Sequence, residues 1–253
     1  MSDAVGRDKS IVRKMFFRSF LLQGSWNFER MQNLGFANTI FPLLRALYRD
    51  DSQRREVMAR HTAYFNTQPY LASFSLGATA QLEIEVAAGR ARPEDVERLK
   101  TALMGPLGAL GDSLFWGGVK PVAALIAVVL LLSGFVWAPL VFLALYNVPH
   151  LFARWVALRD GYDHGVKVIQ VMAQYKIQRK VNHLKAISLA LAGMIPAMAW
   201  SAGGVEPLFP EKVWPLVFLG VVVLFWLAAR KGVPAAGIVA GVGLLAVIYS
   251  FLA

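Results

Sequence analysis

"PVAALIAVVLLLSGFVWAPLVFL", residues 121–143, contains no charged residue. A helix crossing the hydrocarbon core needs about 20 mainly apolar residues, so this run is long enough to span a bilayer. Alone it is equally compatible with a buried core helix. Three more uncharged runs follow: "ISLALAGMIPAMAWSAGGV" (187–205), "VWPLVFLGVVVLFWLAA" (213–229) and "GVPAAGIVAGVGLLAVIYSFLA" (232–253). Four in one chain point to an all-α polytopic membrane protein. The composition agrees, with 57% hydrophobic and 17% charged residues, against about a quarter charged in ordinary soluble domains.

The net charge of +10 raises nucleic acid as a partner. Its distribution argues against this. No run of five Lys or Arg occurs, and no aromatic-interleaved basic motif is present. Sixteen basic residues lie in 1–120 and seven in 144–186, where only Asp160 and Asp163 oppose them. Basic residues gathered between spans are what the positive-inside rule expects. The chain has no cysteine, which excludes disulfides, thiolate metal sites and a cysteine nucleophile. "MFFRSFLL" (15–22) is too short, and too interrupted by Arg18, to read as a signal peptide.

The basic segment 144–186 and the turn "RKG" (230–232) read as cytoplasmic, and "SAGGVEPLFPEK" (201–212) as external. The N-terminus should then be cytoplasmic and the C-terminus external. A cytoplasmic N-terminal region requires one more crossing before 121, and "TALMGPLGALGDSLFWGGV" (101–119) can supply it. Gly105, Pro106, Gly111 and Asp112 interrupt it, so 101–143 reads as a hairpin whose first arm is broken.

Residues 11–22 place Val12, Phe16 and Phe20 four apart, the spacing of an amphipathic helix. "TAYFNTQPYLASFSLGATAQL" (62–82) has no charge. Pro69 interrupts it and pushes Gln68 out of the helical region. It reads as a re-entrant hairpin with "NTQP" at its tip, or as a kinked soluble helix. "RPEDVERLK" (92–100) reads as a short cytoplasmic helix starting near Pro93. The domain plan is therefore 1–100 with amphipathic helices and a re-entrant segment, a hairpin at 101–143, a cytoplasmic amphipathic segment at 144–186, and spanning helices at 187–253.

Uncharged segments broken by Gly or Pro are the best sequence pointer to a transporter's binding site. Here they are 62–82, with Asn66, Thr67 and Gln68, and 101–119, uncharged except for Asp112. A third candidate is "QGSWNFERMQNLGF" (23–36). On a helix Trp26, Glu29 and Gln32 would share a face, with Asn27 and Arg30 alongside. Sugar recognition uses such a mixture: an aromatic ring against the C–H face, with carboxylates and amides for the hydroxyls. The competing reading makes Trp26 an interfacial anchor. Asp112 reads either as a functional ionisable group in a span or as the cap of a half-helix starting at Ser113. His61 reads as structural, with a phosphorylation or proton-shuttle role as the rival. No metal-ligand spacing is present.

Together "QGSWNFERMQNLGF", "FNTQPYLA" (65–72) and "LMGPLGALGDSLFWGGVKP" (103–121) resemble the IID component of the mannose/fructose/sorbose-type bacterial sugar phosphotransferase system. The likeness is strong from Phe17 to Pro121 and looser through "YNVPHLFARWVALRDGYDHGVKVI" (146–169). It implies an inner-membrane permease subunit that is neither an enzyme nor itself phosphorylated, with no cofactor. It implies a IIC membrane partner, transient soluble IIA and IIB subunits, oligomers of IIC–IID pairs, and a hexose translocated and phosphorylated by IIB. The alternative is a regulatory or structural membrane subunit of the same fold. The matched motifs make Trp26, Asn27, Glu29, Gln32, Asn66, Thr67 and Gln68 the expected substrate-binding residues. Pro69, Gly105, Pro106, Gly111 and Asp112 are expected to shape or gate the path. Ser113 stands where the family pattern often has proline, and the segment 201–212 is short.

Overall fold

The computed structural model describes residues 5–201, apart from Arg7, and isolated positions between 216 and 227. The expected spans 213–229 and 232–253 lie almost wholly outside the described residues. Residues 1–198 form one compact unit and 199–253 a second. The first is all-α: α1 (Lys9–Ser19), α2 (Asn33–Leu47), α3 (Asp51–His61), α4 (Ala72–Ala87) and α5 (Pro93–Gly111) precede a π-helical segment, Asp112–Val119. Then come α6 (Lys120–Leu132), α7 (Ala138–His164), α8 (Val168–Gln174) and α9 (Ile177–Ser201). No strand occurs among the described residues.

Local chemistry sets the helix ends. The Asp8 carboxylate caps α1 by accepting from the Ser10 amide at 2.8 Å, and Asp50 does the same for α3 through the Gln53 amide at 2.9 Å. α1 buries Ile11, Val12, Met15 and Ser19. Its inward face is thus rotated from the expected Val12–Phe16–Phe20 line, and Phe20 is exposed. α2 places Phe36, Ile40, Leu43 and Leu44 in the core at 0% exposure. Burial of side chains of this size is worth about 1.5–3 kcal/mol each.

α4 is the centre of the unit, and every residue from Leu71 to Ala80 is buried. It crosses α7 with backbone against backbone at two glycines. A Cβ at Gly77 would lie 2.2 Å from the Leu158 carbonyl oxygen, and one at Gly161 would lie 2.4 Å from that of Phe74. The C-terminus of α1 is pinned to α7 by Arg154. Its Nη1 donates to the Ser19 carbonyl at 2.5 Å and to Ser19 Oγ at 3.1 Å, and its guanidinium lies 5.0 Å from the centre of the Phe20 ring and 5.5 Å from that of Tyr70. A cation is favourable at that end of a helix.

Two expectations need correction. The stretch 62–82 is not a hairpin with two helical arms: residues 62–71 are irregular and only 72–87 is helical. Pro69 has no N–H to continue a helix, and the freed backbone finds other partners, described below. Nor does the expected hairpin 101–143 turn between its two apolar stretches, near Lys120. Pro93–Leu132 is one helical run of 40 residues. The glycines, Pro106 and Asp112 leave it intact, and the irregularity appears as a widened π-helical segment within it. The chain reverses at 133–137 instead, where Gly134 takes a φ of +83°, a conformation glycine adopts without penalty. The apolar run 121–143 therefore straddles this turn.

Pro93–Leu132 and Ala138–Ile195 are long and apolar enough to cross a membrane. Their outward surface is greasy, with Phe152 at 69%, Val148 at 64% and Leu131 at 58% exposure. Water would penalise such a surface, while lipid would not.

Candidate functional site

The segment containing Trp26, Asn27 and Glu29 is not helical, and α2 begins only at Asn33. The reason is local. The Asn27 Oδ1 accepts the Arg30 amide at 2.8 Å, and the Asn27 and Met31 backbones exchange hydrogen bonds of 3.1 and 2.9 Å. Met31 closes the turn at φ +56°, a region that non-glycine residues seldom occupy. A side chain that bonds its own backbone competes with the helix in this way. Gly35 then lets the preceding loop sit directly on α2, because a Cβ there would fall 1.9 Å from the Leu22 carbonyl.

The expected face of Trp26, Glu29 and Gln32 is thus split. Trp26 is exposed and packs edge-on against Phe28, with ring centres 4.9 Å apart. Glu29 is exposed beside it, in a shallow depression with Asn27 and Asn33. Asn27 stitches the loop together: its Nδ2 donates to Asn33 Oδ1 at 2.9 Å, and Asn33 donates to the Thr62 carbonyl at 2.8 Å.

Gln32 turns inward, 2% exposed. Its Nε2 donates to the Thr67 carbonyl at 2.7 Å, and its Oε1 accepts the Thr67 amide at 3.2 Å. Both ends of the amide are occupied, so Gln32 orders the 66–68 loop. Thr67 Oγ1 donates to the Met104 carbonyl at 2.8 Å, a carbonyl that lies two residues before Pro106. Gln68 Oε1 accepts the Tyr70 and Leu71 amides at 2.8 and 3.0 Å and so caps the start of α4. Gln68 Nε2 is buried and has no partner, an expensive state for an amide donor. Gly111 makes this packing feasible, since a Cβ there would meet Gln68 Cβ at 2.6 Å.

These residues line a cavity of about 440 Å³. One wall is the loop Asn66–Pro69 with Gln32. The facing wall is α5 and the π-helical segment, through Gly105, Gly108, Asp112 and Trp116. Asn66 is exposed to it, whereas Thr67 and Pro69 are buried. Asp112 does not cap a new half-helix, because its backbone is helical and donates to the carbonyls of Ala109 and Gly108. Pro106 faces outward. Trp116, Gln23 and Met104 complete the lining. None of these three is singled out by the sequence, although all lie within the motifs 23–36 and 103–121, and Trp116 stands four residues beyond Asp112.

His61 belongs to a different cluster, and the cluster is a scaffold. Glu83, fully buried, accepts from Arg60 Nε and Nη2 at 2.7 Å each, from His61 Nε2 at 2.8 Å, and from the Tyr48 hydroxyl at 3.1 Å. Burial alone would raise the Glu83 carboxyl, but the hydrogen bonds from His61 and Arg60 and the Arg60 charge outweigh it and hold the group at about 2. Burial holds the His61 imidazole below its ordinary value despite Glu83, so the neutral ring donates from Nε2. Among the described residues no group of His, Asp or Glu is arranged to hold a metal ion.

Residues 8–202 match the PTS system mannose/fructose/sorbose family IID component. Over 190 residues the chain is 38% identical to the PTS system mannose-specific EIID component of Escherichia coli K12, a match covering 74% of this chain and 67% of that protein. It is 34% identical over 194 residues to the fructose permease IID component of Bacillus subtilis 168, covering 75% of this chain and 70% of that one. One solved membrane protein superposes with a TM-score of 0.73 at 29% identity, covering 95% of this chain and 96% of that chain. The cryo-EM structure of the mannose transporter ManYZ with microcin E492 does so at 0.61 and 30%, covering 95% of each. With its family motifs gathered around one cavity and its greasy helices turned outward, this chain belongs to the mannose/fructose/sorbose family of phosphotransferase-system IID components, the membrane permease subunits.

Proposed function

We propose that this chain pairs with a IIC membrane subunit to bind and translocate a hexose, which a separate IIB subunit phosphorylates on the cytoplasmic side. One observation supports this reading above others: residues from three separate motifs converge on a single polar cavity that holds an unpaired, buried amide donor, Gln68 Nε2. A hydroxyl-rich ligand would satisfy it. The related mannose, fructose and sorbose components support a hexose as the ligand.

Gln68 and Asn66 contact sugar in this scheme, Gln32 and Thr67 hold their loop, Gly111 lets the loop pack against the helix, and Gly105 keeps the cavity wall open. Trp26, Asn27 and Glu29 form the adjoining rim, where IIC completes the site. The chain itself is not phosphorylated; His61 is enclosed by the Glu83 cluster, and His150 is buried against the Tyr70 ring. IIA and IIB bind transiently, and IIC–IID pairs form a larger oligomer. The N-terminus is cytoplasmic and the C-terminus external, following the Lys and Arg distribution.

The test is to co-express the chain with its IIC partner, purify the pair in detergent and titrate D-mannose, D-glucose, D-fructose and L-sorbose by calorimetry. One of these should bind to the pair. Asn66→Ala and Gln68→Ala should weaken binding about tenfold or more each while the pair still assembles, since each removes a donor facing hydroxyls. A stable pair that binds none of them would instead favour a regulatory subunit.

A further inference from the structure

The cavity has a second wall whose chemistry the motif-based assignment left unused. Asp112 is exposed there, and its carboxylate has no hydrogen bond or ion pair among the described residues. It sits within the helical run Pro93–Leu132, long and apolar enough to cross a membrane. A bare carboxylate facing lipid is unfavourable, so such a group is directed to water, to a ligand or to a partner. Trp116 lies four residues further along, 42% exposed, and lines the same cavity. Behind it the ring meets Tyr70 and Tyr146, with centres 6.1 and 6.5 Å away. Those two tyrosines share a hydroxyl–hydroxyl bond of 2.8 Å. The Lys120 ammonium stands 5.2 Å from the Trp116 ring centre. The ring is therefore braced in position and still accessible.

We infer that Asp112 and Trp116 form the second half of the sugar subsite: Trp116 is the platform for the C–H face of a hexopyranose, and the Asp112 carboxylate accepts from two of its hydroxyls. This rests on the sugar-binding reading above and moves the aromatic role from Trp26 to Trp116. The two walls are complementary. The loop wall offers an amide donor at Gln68 Nε2, whereas the helix wall offers an acceptor-only carboxylate. A hydroxyl both donates and accepts, so a pyranose between them satisfies both. The carboxylate then makes Asp112 a determinant of specificity, because a site built to bond a hydroxyl rejects an analogue that lacks it.

The test is calorimetry on the purified IIC–IID pair with the sugar that binds best and its monodeoxy analogues. Asp112→Asn should weaken the parent sugar about 10- to 100-fold, as expected for a lost hydrogen bond to a charged group. It should also flatten the preference for the parent over one or two deoxy analogues. Asp112→Glu should restore part of both. Trp116→Leu should weaken all the sugars about threefold to tenfold with the preference unchanged, and Trp116→Phe should do so less. A wild-type pair that binds sugar, with affinity unchanged in Asp112→Asn and Trp116→Leu, overturns this inference and leaves the sugar-binding reading intact. Loss of the pair itself in both Asp112→Asn and Asp112→Glu assigns the carboxylate to IIC and also overturns it. A wild-type pair that binds none of the sugars overturns both readings together.

Discussion

Gly77→Val should abolish recovery of folded protein, and Gly161→Val should do the same. α4 and α7 touch through their backbones at these glycines. The first Cβ atom at Gly77 would sit 2.2 Å from one backbone oxygen and 2.6 Å from the Tyr162 amide nitrogen. Neither neighbour is a side chain that can swing aside. The helices must separate, and all the packing along the buried face of α4 loosens with them. Overpacking a core ordinarily costs about 1–3 kcal/mol; a clash of backbone with backbone at the centre of the unit should exceed that. Size-exclusion profiles of detergent extracts would show aggregate in place of a monodisperse peak. Gly105→Ala is the control, since a Cβ at that position meets nothing within 4 Å. A monodisperse Gly77→Val protein with wild-type thermal stability would show that the crossing is not tight.

The second large effect should come from Glu83→Ala. Removing the carboxylate deprives Arg60, His61 and Tyr48 of their common acceptor and leaves a largely buried guanidinium without its partner. Breaking a buried charge pair from one side costs about 3–5 kcal/mol, which for a chain of this size lowers the melting temperature on the order of 10 °C. The cluster also fixes the pH response. The folded His61 titrates below its ordinary 6.5, so below pH 6.5 the unfolded chain takes up a proton that the folded chain refuses. Glu83, at about 2 instead of 4.5, adds a second loss as pH falls from 4.5 towards 2. Both act in the same direction, so stability should be greatest above pH 6.5 and fall in two stages on acidification. Melting curves from pH 8 to 2 check this, and Glu83→Gln should remove the second stage. A flat profile would mean that the cluster is not coupled to folding.

Much of the fold was legible because lipid demands long uncharged runs. The near absence of charge from 101 to 119, broken only by Asp112, and its absence from 121 to 143 marked the two stretches that α5, α6 and the start of α7 now occupy. What misled was the treatment of Gly105, Pro106 and Gly111 as chain breaks. None of the three ends the helix, and Gly111 instead gives close approach to Gln68 and the loop carrying it. The real reversal rests on Gly134, inside a run that looked like one uninterrupted span. The loop around Asn27 was hidden for a different reason. Its residues have helical spacing, and only the side-chain bond from Asn27 to its own backbone decides against the helix. Of the candidate site, the meeting of the 66–68 and 105–112 motifs was readable in kind. That Gln32 would face inward and Trp26 outward was not, because both follow from how the loop sits on Gly35.

The π-helical segment has one more consequence. Its hydrogen bonds reach back five residues, as in the bond from the Lys120 amide to the Phe115 carbonyl, where an α-helix reaches back four. The segment thus holds a residue more than an α-helix of the same span would use, and each α-helical residue turns the chain by about 100°. That extra residue works as a phase setting between two gears on one shaft. It fixes which side of the lower arm, with Gly105 and Asp112, is read together with which side of the upper arm beyond Lys120. Length in this short stretch is consequently under tighter constraint than residue identity. A substitution here alters one contact, whereas a deletion would turn an entire arm of the long helix away from the wall it was built to form.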